Sequence, residues 1–71
     1  MERIRLEVQG MTCQGCVRSV TRVLEAVPGV DGVEVSLERK EAVVQTHGAA
    51  SGEQLAKAVE QAGFEARVAA A

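Results

Sequence analysis

Aromatic side chains are almost missing from this 71-residue chain, which has one Phe, no Trp and no Tyr. Surfaces that bind single-stranded nucleic acid use rings on which bases stack, so the shortage argues against that class. A basic excess is missing too. Eight Lys and Arg against ten Asp and Glu leave a formal net charge of −2, whereas nucleic acid demands a strong positive field. No apolar run approaches the length of a membrane span. The opening Met1-Glu2-Arg3-Ile4-Arg5 lacks the apolar stretch of a secretion signal, which predicts a cytoplasmic location for a natural chain that starts here. Cysteine is scarce, with two residues, and proline and histidine occur once each. In a reducing compartment a lone cysteine pair points to metal or redox chemistry, not to a structural staple.

What is present is mostly Val and Ala, within a hydrophobic fraction of 46%, enough for a globular chain. The length predicts one domain over residues 1–71 with a modest core. Ile4, Leu6 and Val8 alternate with Arg3, Arg5 and Glu7, the pattern of a half-buried strand. Cys16, Val20, Val23, Leu24 and Val27 then share one helical face, and Pro28-Gly29 ends it. Val33, Val35 and Leu37 alternate as a second strand. A turn at Arg39-Lys40 leads into a third over 42–46. Ser51 with Gln54 reads as a capping box. Leu55, Ala58, Val59 and Ala62 make the stripe of a second helix, closed by Gly63 as a left-handed cap. Phe64, Ala66 and Val68 alternate in a last strand, and the tail Ala69-Ala70-Ala71 reads as a frayed end. The order strand-helix-strand-strand-helix-strand predicts an α+β, ferredoxin-like βαββαβ fold, a four-stranded antiparallel sheet with both helices on one face. That topology brings the Arg39-Lys40 hairpin and the Gly63-Phe64 turn to the end that carries Cys13 and Cys16. It sends His47 to the other end, where a solvated loop residue is expected.

The chemistry concentrates in Gly10-Met11-Thr12-Cys13-Gln14-Gly15-Cys16. Cys13 falls in the loop and Cys16 near the first turn of the first helix, close to unpaired backbone N–H groups and the positive end of the helix dipole. Both features favour thiolate, the form that binds metal. Two thiolates suit a soft, monovalent, low-coordinate ion, and Cu(I) fits best. Structural Zn(II) wants four ligands. The competing reading of a C-x-x-C beside a strand-helix unit is a thiol oxidoreductase. Against it, no Trp precedes Cys13 and no Pro separates the cysteines.

Gly10-Met11-Thr12-Cys13-x-x-Cys16, with Val17, Val20 and Leu24 downstream, resembles the heavy-metal-associated domain. So do Gly29-Val30 and Gly63-Phe64-Glu65-Ala66, and the resemblance runs from about Ile4 to Val68. The family comprises small copper chaperones, amino-terminal domains of copper-transporting P-type ATPases and mercury-binding proteins. The resemblance implies a non-enzymatic metallochaperone that holds Cu(I) on Cys13 and Cys16. It would pass the ion to an ATPase metal-binding domain, or to a copper-responsive regulator, by thiolate exchange, with Cys13 starting the transfer and Cys16 finishing it. It equally allows an amino-terminal ATPase domain, with Met1 and the short tail favouring a stand-alone chain, and Ag(I), Hg(II) or Zn(II) as the ion. A monomer is expected, or a dimer bridged by copper across two exposed sites.

The neighbours of the pair carry weaker expectations. Met11 has a soft thioether but is expected to plug the core beneath the loop. Thr12 is expected to cap the loop or helix through its hydroxyl. Phe64 is expected beside the metal loop, as core or as a cover. Related ATPase domains often have Phe there, whereas soluble chaperones have Tyr or Lys. Arg18, Arg22, Arg39 and Lys40 read as a solvated charged face that doubles as a basic docking patch for an acidic partner. Met1 reads as a frayed terminus.

Overall fold

A computed structural model describes residues 2–48 and 50–69, with the side chain of Glu2 left aside. Met1 and the last two alanines of the tail, where frayed ends were expected, lie outside the described residues, whereas Ala69, expected to fray with them, is held by its N–H to the Arg5 carbonyl at 2.8 Å. Six elements follow in the expected order: β1 (Glu2–Gln9), α1 (Gln14–Glu25), β2 (Val30–Ser36), β3 (Glu41–Thr46), α2 (Gly52–Gln61) and β4 (Glu65–Val68). The strands form one antiparallel sheet in the order β2-β3-β1-β4. This is the ferredoxin-like α+β arrangement.

Alternation in β1 decides which face of the sheet is dry. Leu6 and Val8 are fully buried, and so are Ala42 and Val44 of β3, which lie on the same face. Val20 and Leu24 of α1 and Leu55 and Val59 of α2 cover them, with none of their surface exposed. Thr46 is buried at the end of β3, and no buried side-chain polar atom lacks a partner among the described residues. The opposite face of the sheet is open and polar. Glu41 lies there near Arg5 and Arg39, at 3.8 Å from each.

Two local features set the ends of α2. Ser51 accepts from the Gln54 N–H and Gln54 Oε1 accepts from the Ser51 N–H, so the capping box is complete. Beyond Ala62, Gly63 takes a φ of +100°, its N–H bonds the Glu60 carbonyl, and the Phe64 N–H reaches back to Val59. That is a Schellman closure, which needs the left-handed residue that glycine supplies without a Cβ penalty. It delivers Phe64 to the sulfur-bearing end of the molecule.

At the other end His47 Nδ1 lies 2.8 Å from the Asp31 carboxylate, and its backbone N–H bonds the Gly29 carbonyl at 2.8 Å. The lone histidine is therefore remote from the cysteines, as the topology demands. It is not a bare loop residue, because Asp31 of β2 holds it.

Candidate metal centre

β1 ends at Gln9, and four residues carry the chain over to α1. Gly10 starts that loop with φ +98°, and a side chain there would meet the Phe64 ring at 3.5 Å. Met11 turns inward and is 6% exposed, packed in the core with the helix and strand side chains. The thioether thus anchors the loop from below, as expected for a plug.

Cys13 is the N-cap of α1. Its backbone is extended (φ −159°, ψ 173°), its carbonyl accepts from the N–H groups of Cys16 (3.1 Å) and Val17 (3.3 Å), and its side chain makes no cap hydrogen bond. A serine or aspartate at this position would spend its oxygen on the orphan N–H groups. A cysteine leaves them, and the positive helix end, directed at the sulfur-bearing loop. The first turn of α1 carries no acidic residue to compete for that field.

The Sγ atoms of Cys13 and Cys16 are 3.9 Å apart, and both thiols are free. Cys13 is exposed and Cys16 half-buried. Thr12 was expected to cap the loop or the helix through its hydroxyl. Its hydroxyl instead lies 3.9 Å from Cys16 Sγ, because Cys13 occupies the cap position one residue later. Hydrogen bonding holds the Cys16 thiol below its ordinary pKa. The Thr12 backbone contributes most, then the Thr12 hydroxyl, then Cys13, while partial burial pulls the other way. An acid whose folded pKa is depressed stabilises the fold above its unfolded pKa, and that contribution disappears as pH falls through the folded value. The same shift keeps Cys16 as thiolate at a lower pH than an ordinary thiol.

A prediction follows for metal-free chain carrying Cys13→Ser. Alkylation of Cys16 by iodoacetamide should reach half its limiting rate at a pH below the ordinary thiol range. Thr12→Ala should move that midpoint upward, but only part of the way, because the larger backbone contribution survives. An unchanged midpoint in Thr12→Ala would remove the hydroxyl from this role.

The basic residues do not form one patch. Arg18 sits in the second turn of α1, whereas Arg22 lies in its last turn, toward the far end of the helix. Arg39 reaches Glu41 on the open face of the sheet, away from the helices. Lys40, at φ +56°, bonds Val8 N–H through its carbonyl at 2.9 Å, tying the hairpin to the strand that feeds the cysteine loop. Among the described residues no group of three or more His, Cys, Asp and Glu comes together. The two cysteine sulfurs are the soft donors that the structure brings together at this end of the molecule. The Thr12 contact with Cys16 was legible as an i, i+4 pairing across the start of a helix. The His47–Asp31 pair, 16 residues apart, had no local signal.

Fold and site together define an α+β domain with a C-x-x-C dithiol on the loop between its first strand and first helix. Residues 5–65 match the heavy-metal-associated domain, and the chain belongs to that family. It is 40% identical over 67 residues to the probable copper-transporting ATPase PacS of Synechocystis sp., covering 94% of this chain and 9% of that protein. It is also 40% identical over 67 residues to the copper chaperone CopZ of Archaeoglobus fulgidus, covering 94% of this chain and 31% of that one. The chain thus spans about a tenth of the ATPase and about a third of the chaperone. The solved copper-binding domain of HMA7, a P-type ATPase, superposes with a TM-score of 0.95 at 37% identity, covering 99% of this chain and 96% of that one. A chain in the solved Atx1–Cu(I)–Ccc2a complex gives 0.86 at 26% identity, covering 99% and 97%. No helix among the described residues is long and apolar enough to cross a membrane.

Proposed function

We propose that the chain is a cytoplasmic carrier of Cu(I), not an enzyme, and that Cys13 and Cys16 are its ligands. The observation that carries this reading is the pair of free sulfurs 3.9 Å apart at a helix N-terminus whose cap side chain is a thiol. Copper-named relatives, chaperone and ATPase alike, support the choice of ion. The transfer step is ligand exchange. A partner thiol gives up its proton to solvent and its thiolate adds to the two-coordinate ion. One original sulfur then leaves and takes up a proton. Copper remains Cu(I) throughout, and no bare ion is released, so tight holding and fast release are compatible. Exposed Cys13 is the first to yield. Cys16, whose thiolate is stabilised by Thr12, is the last. Met11 and Phe64 keep the loop in shape.

The partner is an ATPase metal-binding domain, approached with Arg18 and Lys40 nearest the sulfurs and Arg22 and Arg39 acting as long-range charge. The similarity to PacS and HMA7, with Phe64 at the site, favours a second reading in which this domain is itself the amino-terminal part of such an ATPase.

The test is anaerobic competition against a chromophoric Cu(I) chelator, followed by mixing the loaded chain with a separate dithiol acceptor domain. One tight site should appear. Copper should reach the acceptor faster than it reaches the chelator alone. Transfer no faster than dissociation would refute ligand exchange, and displacement of Cu(I) by Zn(II) would refute the copper assignment.

A further inference from the structure

β4 is one of the two edges of the sheet. The Ala69 N–H donates to the Arg5 carbonyl at 2.8 Å, and β1 pairs with β4 through Leu6↔Val68 and Val8↔Ala66. Antiparallel pairs alternate between those that exchange backbone hydrogen bonds and those that do not. Glu65, Arg67 and Ala69 therefore turn their backbone groups toward β1, and Phe64, Ala66 and Val68 turn theirs outward. The Phe64 N–H is already taken by the Val59 carbonyl. The edge thus offers the carbonyl of Phe64 together with the N–H and carbonyl of Ala66 and Val68.

The side chains along this edge combine an exposed apolar residue with two opposite charges. Val68 is 46% exposed, the large apolar side chain left in solvent among the described residues. Glu65 and Arg67 are exposed, and neither takes part in an ion pair within the described chain. Edges are commonly guarded by bulges, by charged side chains or by being very short, and β4, with four residues, relies on shortness and on Glu65 and Arg67. β2, the other edge, has an irregular register between Val30 and Gly32. β4 has no such irregularity, and its two charges are opposite.

We propose that β4 pairs antiparallel with β4 of a second copy, about a two-fold axis at Ala66. Three registers place more than one outward-facing residue opposite another. Centring on Glu65 sets carboxylate against carboxylate, and centring on Arg67 sets guanidinium against guanidinium. Only the register centred on Ala66 sets Glu65 against the partner's Arg67, and Arg67 against the partner's Glu65. It also lays Phe64 beside the partner's Val68 and covers that exposed side chain. Ala66 exchanges both hydrogen bonds with the partner's Ala66, and each Val68 N–H donates to the opposing Phe64 carbonyl. The Phe64 N–H is left to Val59. The contact is isologous, hence closed at two copies. The cysteine loops stay outside it, so this dimer forms without metal, unlike one bridged by copper.

Sedimentation of the reduced, metal-free chain at rising concentration tests the proposal. The wild type should self-associate weakly, at the concentrations of an NMR sample, while the Ala66 and Val68 amides gain protection from exchange. Glu65→Arg and Arg67→Glu, each at an exposed position, should alone weaken association about tenfold or more, because each sets like charges face to face. An equimolar mixture of the two variants should associate again, since every facing pair is then opposite in sign. Cys13→Ser/Cys16→Ser should associate like the wild type. A chain monomeric at all concentrations, single variants that associate normally, a mixture that stays monomeric, or loss of association in the double serine variant would each overturn it.

Discussion

Cys16→Ser should abolish tight Cu(I) binding, and Cys13→Ser should do the same with a different pH dependence of what remains. A serine hydroxyl is a hard donor that stays protonated at neutral pH, so the substitution removes a thiolate from a donor set of two. Removing an outer-shell partner of a metal ligand already costs roughly 10–100-fold in affinity. Losing one of the only two thiols must exceed that. Neither substitution threatens the fold, because Cys13 is exposed and Cys16 half-buried. The variants differ in what remains. Cys13→Ser keeps the sulfur whose thiolate is favoured by Thr12. It should retain weak residual binding down to a lower pH than Cys16→Ser does. Chelator competition across a pH series reads both effects. Equal residual affinity at every pH would show that the Thr12 contacts do not bear on the metal.

The second large effect is on stability. Leu24 has no exposed surface and lies in the core with Leu6 and Leu55. Truncating such a leucine to alanine costs about 2–5 kcal/mol, the spread depending on how far the site collapses. A chain of this length holds only about 4–10 kcal/mol in total. Leu24→Ala should therefore lower the urea midpoint sharply with an unchanged slope, and at the upper end of the range leave much of the metal-free chain unfolded. Cu(I) bound to the folded state, as proposed, would offset the loss. An excess of one thousand times the dissociation constant supplies about 4 kcal/mol. The expected result is a variant whose fold returns on loading with copper, while Leu24→Ala/Cys16→Ser stays unfolded under the same conditions. A metal-free midpoint within the error of wild type would place Leu24 outside the critical core.

Much of this was readable from residue order. The alternation Ile4, Leu6, Val8 and the capping box Ser51–Gln54 each name one element without tertiary help, and Gly63 marks the end of α2 for a stereochemical reason. The discrepancies have physical causes. α1 begins at Gln14, two residues before the first apolar position of its stripe, because the cap is a cysteine with no oxygen to advertise the start. Arg22 lies one turn beyond Arg18, in the last turn of a helix that ends at Glu25, so the basic residues are less compact than spacing suggested. β2 starts at Val30 instead of Val33, since an irregular register between Val30 and Gly32 breaks the alternation that marks a strand. Cys13, Cys16 and Met11 could be assigned from the motif alone. The position of Arg39 could not, because Glu41 draws it to the open side of the sheet.

The Schellman closure of α2 has an optical and magnetic consequence. It places Phe64 beside Gly10, at the head of the cysteine loop, and that ring is the chain's sole aromatic group. With no indole or phenol to absorb, only the weak bands of this phenyl ring would overlap the copper–thiolate transitions expected if Cu(I) binds as proposed. The aromatic proton spectrum reduces to one phenyl spin system, located at the site, and the isolated imidazole protons of His47 at the other end. Occupancy of the metal centre can thus be followed from a single ring, in an unlabelled sample, without assigning any other residue.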